Sequence, residues 1–434
     1  MKSGEAIMHQ KTIKVVSIYL LISVIIVESL CAATFWGKFD ILTYNFPWAK
    51  LAASRWLQLY QPHYAGGYLV NYPPLLPTLF WPFGKIINFF NLSLSKGSGY
   101  QLASAFLTIK FQAMIFHWLI AAFVYWKSHS KIMGLGLASL ILINPALWFN
   151  AAFWGQLDTA LIFFIVLSFY YLSQRHFYLA SFWFGLGCLA KLQFFYLVPL
   201  FGLTLLVLAK WRQTIYAVCL VIGVNILGWL PFMIAMRQIT LPIKVITSSL
   251  NQYPELFANA FNGWAGVLKP QMWYRRLKMT NHIFGRVTFS QFNTVVLILI
   301  VGGLCLLFLQ YWRQKRQNLP IALIGAIYSG FIFFFTTGQH ERYQMGMLGF
   351  VILWVLLQNE WPLSRSLATY GWFTFIIFIN EIFVYLSIYF NTKALTTFNQ
   401  LLRVGGVINT LMFIIWVGLI IWQRKQQGSQ SDEG

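Results

Sequence analysis

The chain has 434 residues, of which 59% are hydrophobic, 19% aromatic and only 9% charged, with a mean hydropathy of +0.65. That balance excludes a soluble globular domain of this length, and apolar runs that are continuous rather than alternating exclude a transmembrane barrel. The formal charge of +21 points to an anionic partner; because the basic residues are not gathered on a soluble module, membrane lipids or a phosphate-bearing lipid substrate fit better than nucleic acid.

Apolar runs of roughly 17–25 residues, long enough to cross a bilayer as helices, recur along the chain. In order they lie at about 12–34, 102–126, 132–150, 157–174, 177–190, 193–209, 213–235, 289–312, 320–337, 345–358, 366–390 and 403–423. The first follows Lys11 and Lys14. It is too long for a signal-peptide core and has no clean cleavage site behind it, so it reads as a retained span. Lys191 interrupts the run 177–209, which predicts two short helices meeting at a polar turn. Residues 72–92 are also apolar, but Pro73, Pro74, Pro77 and Pro82 weaken a helix there. If this stretch does not cross, the short basic loops at Lys127/Lys131, Arg175, Lys210/Arg212, Arg313/Lys315/Arg316, Arg365 and Arg424/Lys425 share one side with Lys2, Lys11 and Lys14. That is the positive-inside pattern. Residues 72–92 are therefore placed at the outer interface or as a re-entrant segment.

The expected fold is all-α, a polytopic integral membrane protein with about twelve transmembrane helices. It forms one transmembrane domain over 1–434: a first span at 12–34, a long outer loop at 35–101 with interfacial helices, central spans over 102–235, a second outer loop at 236–288, C-terminal spans over 289–423 and a cytoplasmic tail at 424–434. Both termini are expected in the cytoplasm, with Gly428–Gly434 disordered. The second outer loop carries Arg237, Lys244, Lys269, Arg275, Arg276, Lys278 and Arg286, against the charge rule. Such a long loop obeys that rule weakly, and cations kept there fit an anionic substrate. Cys31, Cys188, Cys219 and Cys305 show no metal or disulfide spacing and read as small packing residues. No internal repeat is visible.

Only ten residues are acidic, and three of them sit in polar knots at the ends of apolar runs. A carboxylate near hydrocarbon is costly without a partner or water, so these knots are the strongest functional signal. Asp40 opens the first outer loop, ahead of Tyr44, Trp48, Arg55 and Trp56. In a partly dry aromatic pocket it suits a general base; a loop aspartate facing water is the alternative. Asn71-Tyr72-Pro73-Pro74-Leu75 fixes two φ angles and starts a helix at the membrane surface. In Trp154-Gly155-Gln156-Leu157-Asp158, Gly155 permits a tight turn, while Gln156 and Asp158 either orient a substrate or, for Asp158, cap the next helix. Lys191, with Gln193 beside it, either snorkels to water or binds a phosphate. His340-Glu341-Arg342-Tyr343 is the densest knot: Arg342 suits phosphate recognition, and Glu341 is placed to hold Arg342 or His340. Glu28 and Glu381 sit inside spans, their partners unassigned. The remaining histidines show no metal spacing, and the chain has neither a D-x-D pair nor a Gly-rich nucleotide loop.

The order of these motifs resembles the C-type glycosyltransferases that use polyprenyl-phosphate sugars. The motifs are an Asp after the first span, Tyr-Pro-Pro-Leu, Trp-Gly-Gln-x-Asp, Lys-x-Gln ahead of Pro199, and a late His-Glu-Arg-Tyr. The chain is most similar to bacterial relatives of the second GPI-anchor mannosyltransferase, and more distantly to the glucosyltransferases that extend dolichol-linked glycans. It departs from that pattern at His117, near which relatives often carry an acidic residue in the second span.

The resemblance implies an outer-face active site built by the first long loop, in the plasma membrane, and inverting transfer of a hexose such as mannose. The donor would be a polyprenyl-phosphate-linked sugar, and the acceptor a lipid-linked glycan, glycolipid or cell-surface polymer. Asp40 would deprotonate the acceptor hydroxyl. Lys191, His340 and Arg342 would meet the phosphate, with Gln193 and Glu341 beside them. Tyr72, Trp154, Gln156 and Asp158 would shape the pocket, and Arg275 and Arg276 would meet a second anionic lipid. No cofactor and no metal are expected, a lone Asp among cations being a poor divalent site. The alternatives are a multi-pass transporter or flippase, and a membrane polysaccharide polymerase.

Overall fold

A computed structural model describes residues 2–37, 40–61, 70–94, 99–252, 254–268, 277–314, 319–357, 362–389 and 396–432. Among the described residues the chain is helical almost throughout, with four short strands paired into two small ribbons. Five helices among the described residues are long and apolar enough to cross a membrane: Gly99–Lys127, Trp211–Met236, Phe289–Arg313, Leu363–Ile388 and Thr397–Arg424. A sixth span arises if Lys131–Leu142 and Pro145–Trp154 count together.

That pair corrects the expectation of one continuous helix over 132–150. It bends by 47°, because Pro145 cannot donate to the preceding turn and Asn144 caps the new helix by accepting from Leu147 N at 3.0 Å. The Asn144 amide also donates to Tyr370 Oη at 2.6 Å and Thr374 Oγ1 at 2.8 Å, so the kink is bolted to a later span. The last helix continues through Asp432, where a disordered tail was expected. No proline interrupts that stretch, and a single Gly428 costs a helix only about 1 kcal/mol.

The shorter helices form the centre. Every residue of Met345–Leu357 except Gly346 is buried, as is most of Asp158–Ser173. Helices apolar on all sides belong inside a bundle. By contrast, Trp211–Met236, Phe289–Arg313 and Thr396–Asp432 leave Ile222, Leu227, Leu299 and Ile415 exposed, as helices solvated by lipid do. The central helices are too short to span alone. Their ends therefore lie within the protein, and the polar knots are the breaks between them.

Glu28 and His117 join the first helix to the second deep in the bundle. Glu28 Oε1 lies 2.9 Å from His117 Nδ1, and its other oxygen accepts from Trp118 Nε1 at 2.6 Å. The remaining ring nitrogen of His117 lies 2.9 Å from the Ile141 carbonyl. Glu28 thus pairs with a histidine and a tryptophan, not with Lys or Arg.

The first long loop folds onto the bundle as a π-helical turn Ile41–Asn45, the helix Phe46–Arg55 and two short helices, Leu75–Leu79 and Trp81–Phe89. Gly84 lets Trp81–Phe89 lie directly on Phe46–Arg55, since a Cβ there would stand 1.9 Å from the Ala49 carbonyl oxygen. The second long loop contains the helix Leu241–Gln252. Its strand Phe257–Ala258 pairs in parallel with Gln339–His340, which fastens the loop to the late polar knot. The two loops also touch each other: Ser249 Oγ donates to Asn71 O at 2.7 Å, and Gln252 Nε2 donates to Tyr44 Oη at 2.7 Å.

Candidate active site

The three acidic knots and Lys191, far apart in sequence, meet in one cluster. Gly155 makes the first turn possible. Its φ of +80° is left-handed, where glycine carries no steric penalty, and it turns the chain from Phe149–Trp154 into Asp158–Ser173. Asp158 is the first residue of that helix, and the hydrogen bonds of its carboxylate come from the Asn150 and Lys191 side chains rather than from first-turn N–H groups. The capping reading is therefore corrected: the carboxylate turns inward, where it has stronger partners. It pairs closely with Lys191 Nζ, lies 3.5 Å from Arg342 Nε and accepts from Asn150 Nδ2 at 3.2 Å. Asn150 also accepts from the Asp158 backbone N–H and donates to Glu381 Oε1 at 2.7 Å.

Lys191 does not snorkel. It is 1% exposed in an extended break between Phe177–Ala190 and the 3-10 turn Leu192–Leu197. Burial drives its pKa down, while Asp158 pulls the other way. Its ammonium also faces the Tyr72 ring at 5.5 Å. Tyr72 continues through Trp48 to Tyr44 as an aromatic wall, with ring centroids 5.4 and 5.5 Å apart. The double proline after Tyr72 starts the helix Leu75–Leu79, and Tyr60 Oη donates to the Tyr72 carbonyl at 2.8 Å. Arg55 and Trp56 instead lie exposed, with the Trp56 ring 5.4 Å from Phe232.

Arg342 donates to Glu341 Oε1 at 2.7 Å. Its Nε has no hydrogen-bond partner, and its side chain is 11% exposed. His340 lies with Nδ1 3.9 Å from Glu341 and its ring 4.8 Å from that of Tyr343. Burial lifts the Glu341 carboxyl above the ordinary range, and Arg342 opposes that rise.

Asp40 is half-buried at the start of the Ile41–Asn45 turn. One of its oxygens accepts from Trp154 Nε1 at 2.9 Å. It is close enough to act electrostatically on Tyr72, Lys191, Glu341 and Arg342. Trp154 is held in turn by the rings of Phe149 and Tyr385, at 6.3 and 5.9 Å. Gln156 is buried and its amide nitrogen lacks a partner, so it presents a spare donor in the turn. A narrow apolar crevice opens nearby, lined by Leu161, Ile165, Gln193, Tyr196, Phe333 and Tyr343 among others. Gln193 lies on this crevice. Arg275 and Arg276 lie outside the described residues.

Two members of the site escaped the sequence reading. Asn150 gives no distinguishing signal, being an uncharged polar residue within an apolar run. Lys110 gives a clear one, a lone cation inside the apolar helix Gly99–Lys127. It is completely buried, and its ammonium donates to the carbonyls of Ala32, Phe35, Ala152 and Phe153. Glu381, unassigned from sequence, proves to be the far end of the Asn150 bridge, so four of the ten acids converge here.

The model of glycosyltransferase family 87 matches residues 68–328, more than half of the chain. The chain belongs to glycosyltransferase family 87. No curated protein matches it. Membership makes the chain a glycosyltransferase and removes the case for a transporter. The matched stretch carries Tyr72, Lys110, the Trp154–Asp158 turn and Lys191. Asp40 and the knot at 338–343 lie beyond it, and tertiary packing joins them to the family's core.

Proposed function

We propose that this chain is an inverting glycosyltransferase that moves one hexose, such as mannose, from a polyprenyl-phosphate sugar to an acceptor glycan at the outer face of the plasma membrane. The acceptor is a lipid-linked glycan, a glycolipid or a cell-surface polymer, and 1–434 act as one transmembrane unit with both termini cytoplasmic. The observation that carries this reading is the contrast between Asp40 and the other carboxylates. Asp158 and Glu341 are buried and committed to Lys191 and Arg342. Asp40 is half-exposed and accepts an indole N–H, so it has capacity for an incoming hydroxyl.

Asp40 takes the proton of the acceptor hydroxyl as that oxygen bonds to the anomeric carbon. The bond from that carbon to the phosphate oxygen breaks on the opposite face, and the lipid phosphate leaves with the electron pair. Donors aimed at that developing charge stabilise the transition state. Arg342, whose Nε faces Asp158 at 3.5 Å without a hydrogen bond, leads this role, with His340 beside it; Lys191 acts chiefly through Asp158, which holds both cations. Tyr72, Trp154 and Gln156 shape the sugar pocket. The crevice beside Gln193 and Tyr343 accommodates the donor's apolar chain. Arg275 and Arg276 serve a second anionic lipid.

The test is transfer by purified protein in nanodiscs, using radiolabelled polyprenyl-phosphate monosaccharides and lipid extract from the host. Asp40→Asn is expected to lower turnover by about 10²–10⁴-fold, the usual share of a general base, while donor binding is retained. Wild-type turnover in Asp40→Asn would sink the mechanism.

A further inference from the structure

We infer that Lys110 is a positioning residue for the transfer reaction: it fixes the catalytic base by clamping together the backbone that carries Asp40 and the backbone that carries the indole bound to it. The inference rests on the reading of Asp40 as the base. Lys110 is 0% exposed near the middle of a 29-residue helix. Among the described residues no carboxylate lies within ion-pair distance of it. An ammonium in such a place needs compensation, and here its hydrogen bonds all go to main-chain oxygens, with the Phe106 ring 5.6 Å away. Ala32 O at 3.1 Å and Phe35 O at 2.5 Å belong to the end of the first helix. Ala152 O and Phe153 O, both at 2.9 Å, belong to the end of the π-helical turn before Gly155.

Both groups are the orphan carbonyls that a helix leaves at its C-terminus, and both sit at the negative end of a helix dipole. A point cation with three protons is the side chain that can join two such ends at once. What it joins is specific. Phe35 lies five residues before Asp40, and Phe153 lies immediately before Trp154, which donates to Asp40 Oδ2 at 2.9 Å. The same seam is drawn tight elsewhere. Asn45 Nδ2 donates to Gly155 O at 2.9 Å, and Tyr385 Oη donates to Trp36 O at 2.8 Å. A Cβ at Gly155 would stand 3.0 Å from Lys110 Cγ and 2.5 Å from Ile41 Cδ1. Loss of the ammonium would take a donor from two buried and two part-buried carbonyls and let the two sides of the seam separate. A shift of about 1 Å at a reacting group lowers rate by up to about 10²-fold.

The experiment is a double-mutant cycle on kcat and KM, with Lys110→Met, Trp154→Phe, the pair together, and Asp40→Asn as control. Lys110→Met is expected to lower kcat about 10–100-fold with both KM values within about threefold of wild type. Trp154→Phe alone is expected to lose about tenfold, the scale of one hydrogen bond to a charged group. Because both act through the Asp40 carboxylate, the pair should be little worse than Lys110→Met alone. Effects that multiply, or a rise in KM with kcat intact, would overturn the inference. Should Lys110→Met not fold, Lys110→Gln, which keeps two N–H donors, carries the same cycle. Wild-type turnover in Asp40→Asn would remove the base itself; an inactive Asp40→Asn with multiplying effects would remove only the role of Lys110.

Discussion

Asp158→Asn isolates the link between Lys191 and the rest of the site. The substitution is nearly isosteric, so it leaves packing intact and removes a negative charge. Lys191 is then a 1% exposed ammonium that has lost its contacting carboxylate, with the Tyr72 ring at 5.5 Å and only the more distant Asp40 to offset its charge. Breaking a buried ion pair from one side costs about 3–5 kcal/mol, because the other charge stays buried and unpaired. In a chain this long each kcal/mol moves the midpoint of thermal unfolding by about 1–2 °C, which places the fall at roughly 3–10 °C. The sign of its pH dependence follows from Lys191. Burial lowers its pKa in the folded protein, and without Asp158 that fall deepens. The folded state then binds fewer protons than the unfolded one, so stability rises with pH between the two pKa values. The deficit of Asp158→Asn should therefore shrink as pH rises toward the ordinary lysine range and Lys191 sheds its proton. Adding Lys191→Met removes the orphan charge and should restore most of the midpoint, while activity stays lost. Thermal unfolding in nanodiscs at several pH values measures all three variants. A double variant no more stable than Asp158→Asn, or a deficit that does not change with pH, would refute the reasoning.

Two further outcomes follow from the same geometry. Glu341, lifted above the ordinary carboxylate range by burial and lowered in part by Arg342, takes up its proton at a higher pH than a free glutamate and then loosens its hold on Arg342. The KM for donor should rise as pH falls through that window in the wild type and stay flat in Glu341→Gln; superimposable profiles would count against the pairing. Glu28→Ala strips His117 and Trp118 of their shared acceptor. It should lower the unfolding midpoint by an amount similar to Asp158→Asn while leaving kcat and KM of the folded protein at low temperature nearly unchanged, and a fully folded but inactive Glu28→Ala would show that this pair serves the chemistry.

What the sequence determined by itself is the class of environment. Long apolar runs dictate helices in a bilayer, because no other backbone arrangement satisfies its own polar groups there except a closed barrel. The same logic marks Asp40, Asp158, Lys191, Glu341 and Arg342, since charge beside hydrocarbon is costly and therefore visible against a chain with ten acids. Lys110 is equally visible, as a lone cation inside an apolar helix. Pairing was not legible. Asp158 had two readings in sequence, a helix cap or a substrate contact, and the structure gives it a third, as the partner of Lys191 and Arg342 from 33 and 184 positions away along the chain. The bend at Asn144 and the bridge from Asn150 to Glu381 depend likewise on contacts between distant helices. Hydrophobicity is a property of each residue and is summed along the chain, so it can be read in order. An ion pair is a property of two residues at a distance set by every helix between them, and only packing decides which charge meets which.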